Sequence, residues 1–279
     1  MRFAFKTSPQ NTEWADMLAV WQAADGIDVF ESGWTFDHFY PIFSDPTGPC
    51  LEGWVTLAAL AQATTRLRIG VMVTGIHYRH PAVLANMASA LDIVSAGRLE
   101  LGIGAGWNEE ESGAYGIELG SIRERFDRFE EACQVLLGLL TQETTTFDGR
   151  YYQLTDARNE PKGVQKPHPP ICIGGSGEKR TLPLTARYAN HWNFMGGSPE
   201  EFARKRDVLA AACADIGRDP AEITLSAHVR LDADLDYAKV VDDSLALGAE
   251  GLDLAIVYLP TPHTPAVLEP LAEAIRDAG

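Results

Sequence analysis

The order of apolar and amphipathic segments is the feature that most constrains the fold of this chain. Short apolar segments alternate eight times with longer segments whose apolar residues recur every three or four positions, the spacing of an amphipathic helix. Regular alternation of strands and helices favours a parallel sheet. The predicted strands are 2–6, 29–36, 67–74, 98–103, 170–174, 191–195, 223–230 and 252–258, and the predicted helices are 12–25, 52–64, 81–96, 122–141, 178–188, 199–216, 236–248 and 264–277.

The number of these units predicts an α/β fold with a closed (β/α)8 barrel, the TIM barrel. Eight strand–helix units within 279 residues match the usual size of that barrel. An open, doubly wound sheet is the alternative, although six strands would suit it better than eight. No repeat, linker or low-complexity segment divides the chain, so we expect a single domain over 1–279. The segment 142–169 is rich in Thr, Pro and Gly and is predicted to be a long excursion from the pattern.

The charge balance restricts the partners of this protein. Lys and Arg number 23 and Asp and Glu number 39, which gives a formal net charge of −16. An acidic surface repels phosphate backbones and anionic lipids, so we expect neither nucleic acid nor membrane as a partner. The chain shows no signal peptide, no apolar run of the ~20 residues that cross a bilayer, and no C-x-x-C pair among its four cysteines. These features predict a cytoplasmic protein.

Two groups of residues follow predicted strands, where a barrel carries its chemistry. Asp37 and His38 follow the second strand among aromatic residues, and such a titratable pair can contact a flat ring and move a proton. The segment 174–177 (GGSG) lies between the fifth strand and a helix. Its glycines let N–H groups approach a phosphate, although a simple tight turn is the alternative interpretation. The glycines at 102, 104 and 106 lack the full dinucleotide-binding spacing, and no spacing indicates a metal site.

Three runs together resemble the luciferase-like monooxygenase superfamily, and most closely its F420-dependent branch. They are LRIGVMVTGIHYRHPAVLANMASALDIVSAGRLELGIGAGWNEEE (67–111), KPHPPICIGGSGEKRTLPLTARYANHWNF (166–194) and WTFDHF (34–39). The resemblance implies a bacterial-luciferase-like (β/α)8 barrel that is usually dimeric and holds a flavin or deazaflavin. It differs at one position, because Trp107 stands where some F420-dependent sugar-phosphate dehydrogenases have Glu. We therefore do not expect their substrate here.

The resemblance also assigns roles to individual residues. His38 would donate or accept a proton, or stabilise charge, beside the carbon that gains or loses hydride, and Asp37 would orient the cofactor or His38. The end of the third strand would support the ring, with a bulge and a non-proline cis peptide near Val71, Met72 and Val73. The remaining cofactor contacts implied by the resemblance are Thr74 beside the ring, Gly106 close to the cofactor, and Gly174, Gly175, Ser176 and Gly177 at its phosphate.

The reaction implied by the resemblance is hydride transfer between coenzyme F420 and a small organic substrate. An FMN-dependent monooxygenase that uses O2 is the first alternative, because it would share the barrel. A barrel that binds a flavin or deazaflavin without turnover is the second alternative, because a fold can persist without its chemistry. A homodimer is expected by analogy with the family.

Overall fold

A closed ring of eight parallel strand positions forms the centre of the computed structural model, which describes residues 1–279. The strands, in chain order, are β1 (Arg2–Lys6), β2 (Phe30–Thr35), β3 (Arg68–Val71), β4 (Thr74–Gly75), β5 (Leu99–Gly104), β6 (Thr145–Asp148), β7 (Gln153–Ala157), β8 (Ile171–Gly174), β9 (His191–Phe194), β10 (Thr224–Arg230) and β11 (Leu254–Tyr258). β3 and β4 share the third ring position, and β6 and β7 form a separate antiparallel hairpin. The ring closes because β3 pairs with both β2 and β5, and β11 pairs with both β10 and β1. The predicted (β/α)8 barrel is confirmed.

Helices follow the ring strands and cover the outer face of the barrel. They are α1 (Trp14–Asp25), α2 (Gly53–Ala63), α3 (Pro81–Val94), α4 (Glu109–Ala114), α5 (Ile122–Thr141), α6 (Thr181–Tyr188), α7 (Pro199–Asp215), α8 (Tyr237–Ala249) and α9 (Leu268–Ala278), with 3-10 turns at Pro220–Glu222 and Pro265–Val267. Local signals set several of the starts. Ser121 begins α5 in a reciprocal capping box with Glu124, and Ser198 caps α7 before a proline in its first turn.

Alternation along the strands separates two cores. In β1, Ala4 faces the inside of the ring, whereas Phe3 and Phe5 join the larger core between the strands and the helices. The larger core contains 58 buried residues and encircles the barrel. The smaller one fills the lower part of the ring and contains Ala4, Trp34, Met72, Cys172, Leu254 and Ile256. Because the lumen is filled at this level, a ligand can enter only at the open end above it.

The structure adds three features to the predicted pattern. The third strand stops at Val71, the Met72–Val73 peptide is cis as the resemblance implied, and pairing resumes at Thr74. The excursion 142–169 contains the β6–β7 hairpin. The short helix α4 follows the fourth ring strand, in a segment where the sequence predicted no helix. None of the helices is long and apolar enough to cross a membrane.

Candidate active site

A cavity of about 650 Å³ opens at the C-terminal ends of the ring strands. This volume lies in the range of pockets that hold a cofactor or a substrate of similar size. All eight ring positions contribute a residue at or just beyond the strand end, namely Lys6, His38, Gly75, Gly104, Gly174, Met195, Arg230 and Tyr258. The cavity therefore occupies the place where barrels of this type carry their chemistry.

His38 is held at the cavity wall by the carboxylate of Glu111. The Nδ1 atom of His38 lies 2.8 Å from Oε2 of Glu111, and both side chains are buried. Because an ionised carboxylate only accepts hydrogen bonds, Nδ1 carries the proton when the imidazole is neutral. The Nε2 atom of His38 has no protein partner, and the residue lines the cavity. The arrangement leaves Nε2 free to accept a proton from a bound molecule.

Two further donors fix the Glu111 carboxylate. The Phe39 N–H donates a hydrogen bond to Oε1, and the Tyr78 hydroxyl donates one to Oε2. The donor–acceptor distance is 2.5 Å in both. Burial acts to raise the pKa of Glu111, but the hydrogen bonds from His38, Tyr78 and Phe39 outweigh it and lower the pKa. Burial and the neighbouring carboxylate raise the pKa of Tyr78, which therefore keeps its proton. Glu111 thus remains ionised as the fixed partner of His38.

Asp37 pairs with an arginine and not with His38. Its carboxylate is fully buried and pairs with the guanidinium of Arg79, which also contacts Glu52 at the start of α2. Asp37 is not among the cavity-lining residues and makes no hydrogen bond to His38. In the structure Glu111, and not Asp37, makes the hydrogen bond to the His38 ring. Its proposed contact with the cofactor stays a prediction.

Glycines give the cavity a floor on which the Val73 side chain can lie. A Cβ atom on Gly104 would lie 2.9 Å from the Val73 side chain, and one on Gly174 would lie 3.2 Å from it. Gly106 has a φ of +85°, and a Cβ there would lie 2.4 Å from the His77 ring. The glycines at 104 and 174 therefore make room for the Val73 side chain, and Gly106 makes room for the His77 ring. A flat ring could approach the backbone closely at this surface.

The GGSG turn leaves several backbone donors free. Gly175 has a φ of +119°, which favours glycine, and its N–H is used by the carbonyl of Asn193. The four N–H groups of residues 176–179 donate to no protein acceptor and precede the start of α6. Consecutive free N–H groups at a helix start form an anion-binding surface. The turn therefore has free donors for a phosphate, and its contact with the cofactor stays a prediction.

An exposed aromatic pair borders the mouth of the cavity. The rings of Phe43 and Trp107 stack with centroids 5.3 Å apart and an interplanar angle of 2°. Phe43 is 85% exposed and Trp107 is 50% exposed. Trp107 also packs edge-to-face with the His38 ring, with the ring centroids 5.6 Å apart. Contiguous exposed apolar surface often marks a contact site for a ligand or a partner. This pair places an apolar surface beside the free nitrogen of His38.

The predicted residues divide into two groups by position. His38, Met72, Val73, Gly106, Gly174 and Gly175 line the cavity. Asp37, Thr74, Ser176 and Gly177 do not, and the Thr74 hydroxyl accepts a hydrogen bond from the Trp54 indole at 2.8 Å. Sequence reasoning gave no role to Glu111 or to Lys6, although Lys6 is the last residue of the first predicted strand. No group of three or more His, Cys, Asp or Glu side chains is placed to hold a metal ion.

A family model described as luciferase-like monooxygenase matches residues 1–274 of this chain. The chain belongs to the luciferase-like monooxygenase family. An F420-dependent hydroxymycolic acid dehydrogenase of Mycobacterium tuberculosis is 31% identical over 237 residues, which are 85% of this chain and 62% of that protein. An F420-dependent glucose-6-phosphate dehydrogenase of Amycolatopsis mediterranei is 28% identical over 264 residues, covering 90% of this chain and 76% of that protein. The chain spans 62% and 66% of the first two curated relatives that it matches.

Solved structures agree on the fold. An F420-dependent secondary alcohol dehydrogenase, solved with an F420–acetone adduct, superposes with a TM-score of 0.88 at 19% identity, covering 100% of this chain and 99% of that one. A long-chain alkane monooxygenase superposes with a TM-score of 0.80 at 14% identity, covering 98% and 89% of the two chains. At these identities the likeness establishes the barrel alone. Enzymes of both reaction types share it.

Proposed function

We propose that this chain is an F420-dependent oxidoreductase that transfers a hydride between the deazaflavin and a small organic substrate. The observation that carries the proposal is the His38–Glu111 pair, which presents a free imidazole nitrogen to a cavity with a glycine floor. The names of the relatives that cover 85% and 90% of the chain support F420 as the cofactor. The GGSG turn, whose free N–H groups are compatible with a phosphate, supports the same assignment.

The residues around the cavity suit a bound deazaflavin. Met72 and Val73 would support the ring, Gly104 and Gly106 would allow it to approach the backbone, and the N–H groups of the GGSG turn would hold its phosphate. When bound, F420 supplies a two-electron hydride carrier, and the protein supplies position and electrostatics. The apolar pair of Phe43 and Trp107 would shield the reacting side of the cavity from water.

His38 moves the proton that accompanies the hydride. In the direction of alcohol oxidation, Nε2 accepts the hydroxyl proton while the carbon loses its hydride, and in the direction of carbonyl reduction the imidazolium returns that proton. Glu111 fixes the tautomer and stabilises the positive charge that forms on the ring. A proton carrier of this kind contributes roughly 10²- to 10⁴-fold to the rate.

An FMN-dependent monooxygenase is the second candidate. The family model carries the description of a monooxygenase, and a pyrimidine monooxygenase of a Caulobacter species is 33% identical over 184 residues, 63% of this chain and 49% of that protein. The same cavity would then hold a reduced flavin, and the reaction would consume O2.

The expected homodimer and the expected cytoplasmic location also stay proposals. Sedimentation of the purified protein tests whether it is a homodimer.

Turnover with and without oxygen separates these candidates. Purified protein is incubated with F420 and a panel of secondary alcohols, or with reduced F420 and the matching ketones, under argon and under air. We expect the cofactor to change its oxidation state at the same rate under both gases. Turnover that requires FMN and O2 would contradict the proposal, and binding of either cofactor without turnover of any substrate would favour a non-catalytic carrier.

A further inference from the structure

The cavity wall opposite the glycine floor carries positive charge without a carboxylate partner. Its glycine side comes from the ends of β4, β5 and β8, whereas Lys6, Tyr258 and Arg230 come from the ends of the neighbouring strands β1, β11 and β10. The strand register pairs Lys6 with Tyr258 and Arg230 with Tyr258. The three side chains therefore form one row across the ring, which we call the cationic row.

Contacts within the cationic row leave both charges available to a ligand. Lys6 Nζ and Arg230 Cζ each lie 5.1 Å from the centroid of the Tyr258 ring. Lys6 donates one hydrogen bond, to the carbonyl of Met72 at 2.9 Å, and Arg230 donates none to the protein. Lys6 is buried and Arg230 is exposed, so burial penalises an uncompensated charge at Lys6 alone, and an anion that entered the cavity would be attracted to both side chains.

A neighbouring histidine also lacks a partner. The Nε2 atom of His228 is buried without a hydrogen bond, and its ring lies 6.1 Å from that of Tyr258 along the same wall. Burial, followed by the charges of Lys6 and Arg230, holds the pKa of His228 well below its ordinary value, so the ring is neutral. Burial and the charge of Arg230 lower the pKa of Lys6 to about 7. An anion in this place would relieve both the repulsion and the unsatisfied nitrogen.

We propose that the cationic row is a subsite for an oxyanion of the substrate, so that the preferred substrates are alcohols or ketones that carry a carboxylate or phosphate group. The inference rests on the proposed function for the reacting end of the substrate. The row starts with Lys6 on β1, the neighbour of the strand that precedes His38, and continues through β11 to β10, whereas the glycine floor and the GGSG turn are on the other side of the cavity. One substrate can thus place its hydroxyl at His38 and its anion at the row.

Direct binding tests the subsite without turnover. Isothermal titration of the apo-protein and of the F420-loaded protein is made with lactate, 3-hydroxybutyrate and 4-hydroxyvalerate, and with the amide of each acid. We expect at least one acid to bind more tightly than its amide. Arg230→Gln should weaken the binding of that acid by about ten- to hundredfold, the usual effect of losing a hydrogen bond to a charged group. It should leave the affinity for the amide unchanged. Arg230→Lys should restore part of the difference.

Controls separate the subsite from a general charge effect and from the cofactor. Arg123→Gln removes a positive charge from an exposed position on α5 and should change no affinity. Equal affinity of each acid and its amide, or no binding of any acid, would overturn the proposal. Loss of acid binding on loading F420, with F420 itself binding more weakly to Arg230→Gln, would overturn it too and assign the row to the cofactor. Selective acid binding without hydride transfer would uphold the subsite and refute the proposed function.

Discussion

Replacement of Glu111 by Gln tests how the protein sets the protonation of His38. The carboxylate accepts hydrogen bonds from His38 Nδ1, the Tyr78 hydroxyl and the Phe39 N–H. An amide has one oxygen and one NH2 group, so it cannot accept all three. If the amide oxygen keeps the Phe39 N–H, the NH2 group faces Nδ1 of His38. The imidazole then accepts at Nδ1 and carries its proton on Nε2, the atom that faces the cavity.

The magnitude follows from the lost proton acceptor. An imidazole that already carries a proton on Nε2 cannot take one from an alcohol, so Glu111→Gln should lower kcat for alcohol oxidation by roughly 10²- to 10⁴-fold. This range corresponds to about 3–5 kcal/mol in the activation free energy. Glu111 does not line the cavity, so the affinity for F420 should stay unchanged.

The assay is steady-state reduction of F420 with the best alcohol of the panel, together with nitrogen NMR of the His38 ring. Glu110→Gln is the matched control, because Glu110 is the adjacent exposed residue on α4. The reasoning is refuted if Glu111→Gln keeps the wild-type kcat, or if the ring keeps its proton on Nδ1 while kcat falls.

Three further predictions concern other parts of the molecule. His38→Ala should lower kcat by roughly 10²- to 10⁴-fold in steady-state kinetics, whereas His80→Ala at an exposed position should not. Lys6→Met should raise the thermal midpoint more at pH 6 than at pH 10. The pKa of Lys6 is about 7 in the folded protein and 10.5 in the unfolded chain. This shift corresponds to about 5 kcal/mol of destabilisation of the folded state. The destabilisation is fully present below pH 7 and diminishes as the pH rises toward 10.5. An equal change at both pH values would contradict this account. Gly102→Ala should destabilise the fold in urea titration by roughly 1–3 kcal/mol, because its Cβ would lie 1.9 Å from the Val71 carbonyl oxygen. Gly113→Ala, where a Cβ meets nothing within 4 Å, should not destabilise it.

The barrel could be predicted because its signals are local. Each ring strand is a short apolar run and each long helix has a periodic apolar face, so the sequence marks both without knowledge of the partners. The ends were harder to place. The helix predicted from 178 begins at Thr181, because the preceding residues form the GGSG turn and its continuation. The hairpin in the excursion was missed because its strands, TTFD and QLTDA, contain few apolar residues and are largely exposed.

The site was only partly predictable because its decisive contacts join distant residues. His38 could be singled out from its aromatic neighbours, but its partner Glu111 lies 73 residues further along the chain. Three consecutive acidic residues, 109–111, offer no local sign of which one turns inward, and the fold buries only Glu111. Thr74 looked suitable for the cavity by its position, yet Trp54 on α2 takes its hydroxyl. Lys6 gained significance only when the register aligned it with Tyr258 and Arg230.

Fluorescence titration of the apo-protein with F420, and in parallel with FMN, tests the central claim most directly. The account predicts that F420 binds with a dissociation constant in the micromolar range or below and that FMN binds much more weakly. Gly175→Val places a branched side chain at a φ of +119° in the GGSG turn, so it should weaken the binding of F420 in the same titration. Tighter binding of FMN than of F420 would contradict the F420-dependent assignment, and binding of neither would contradict the cofactor site itself.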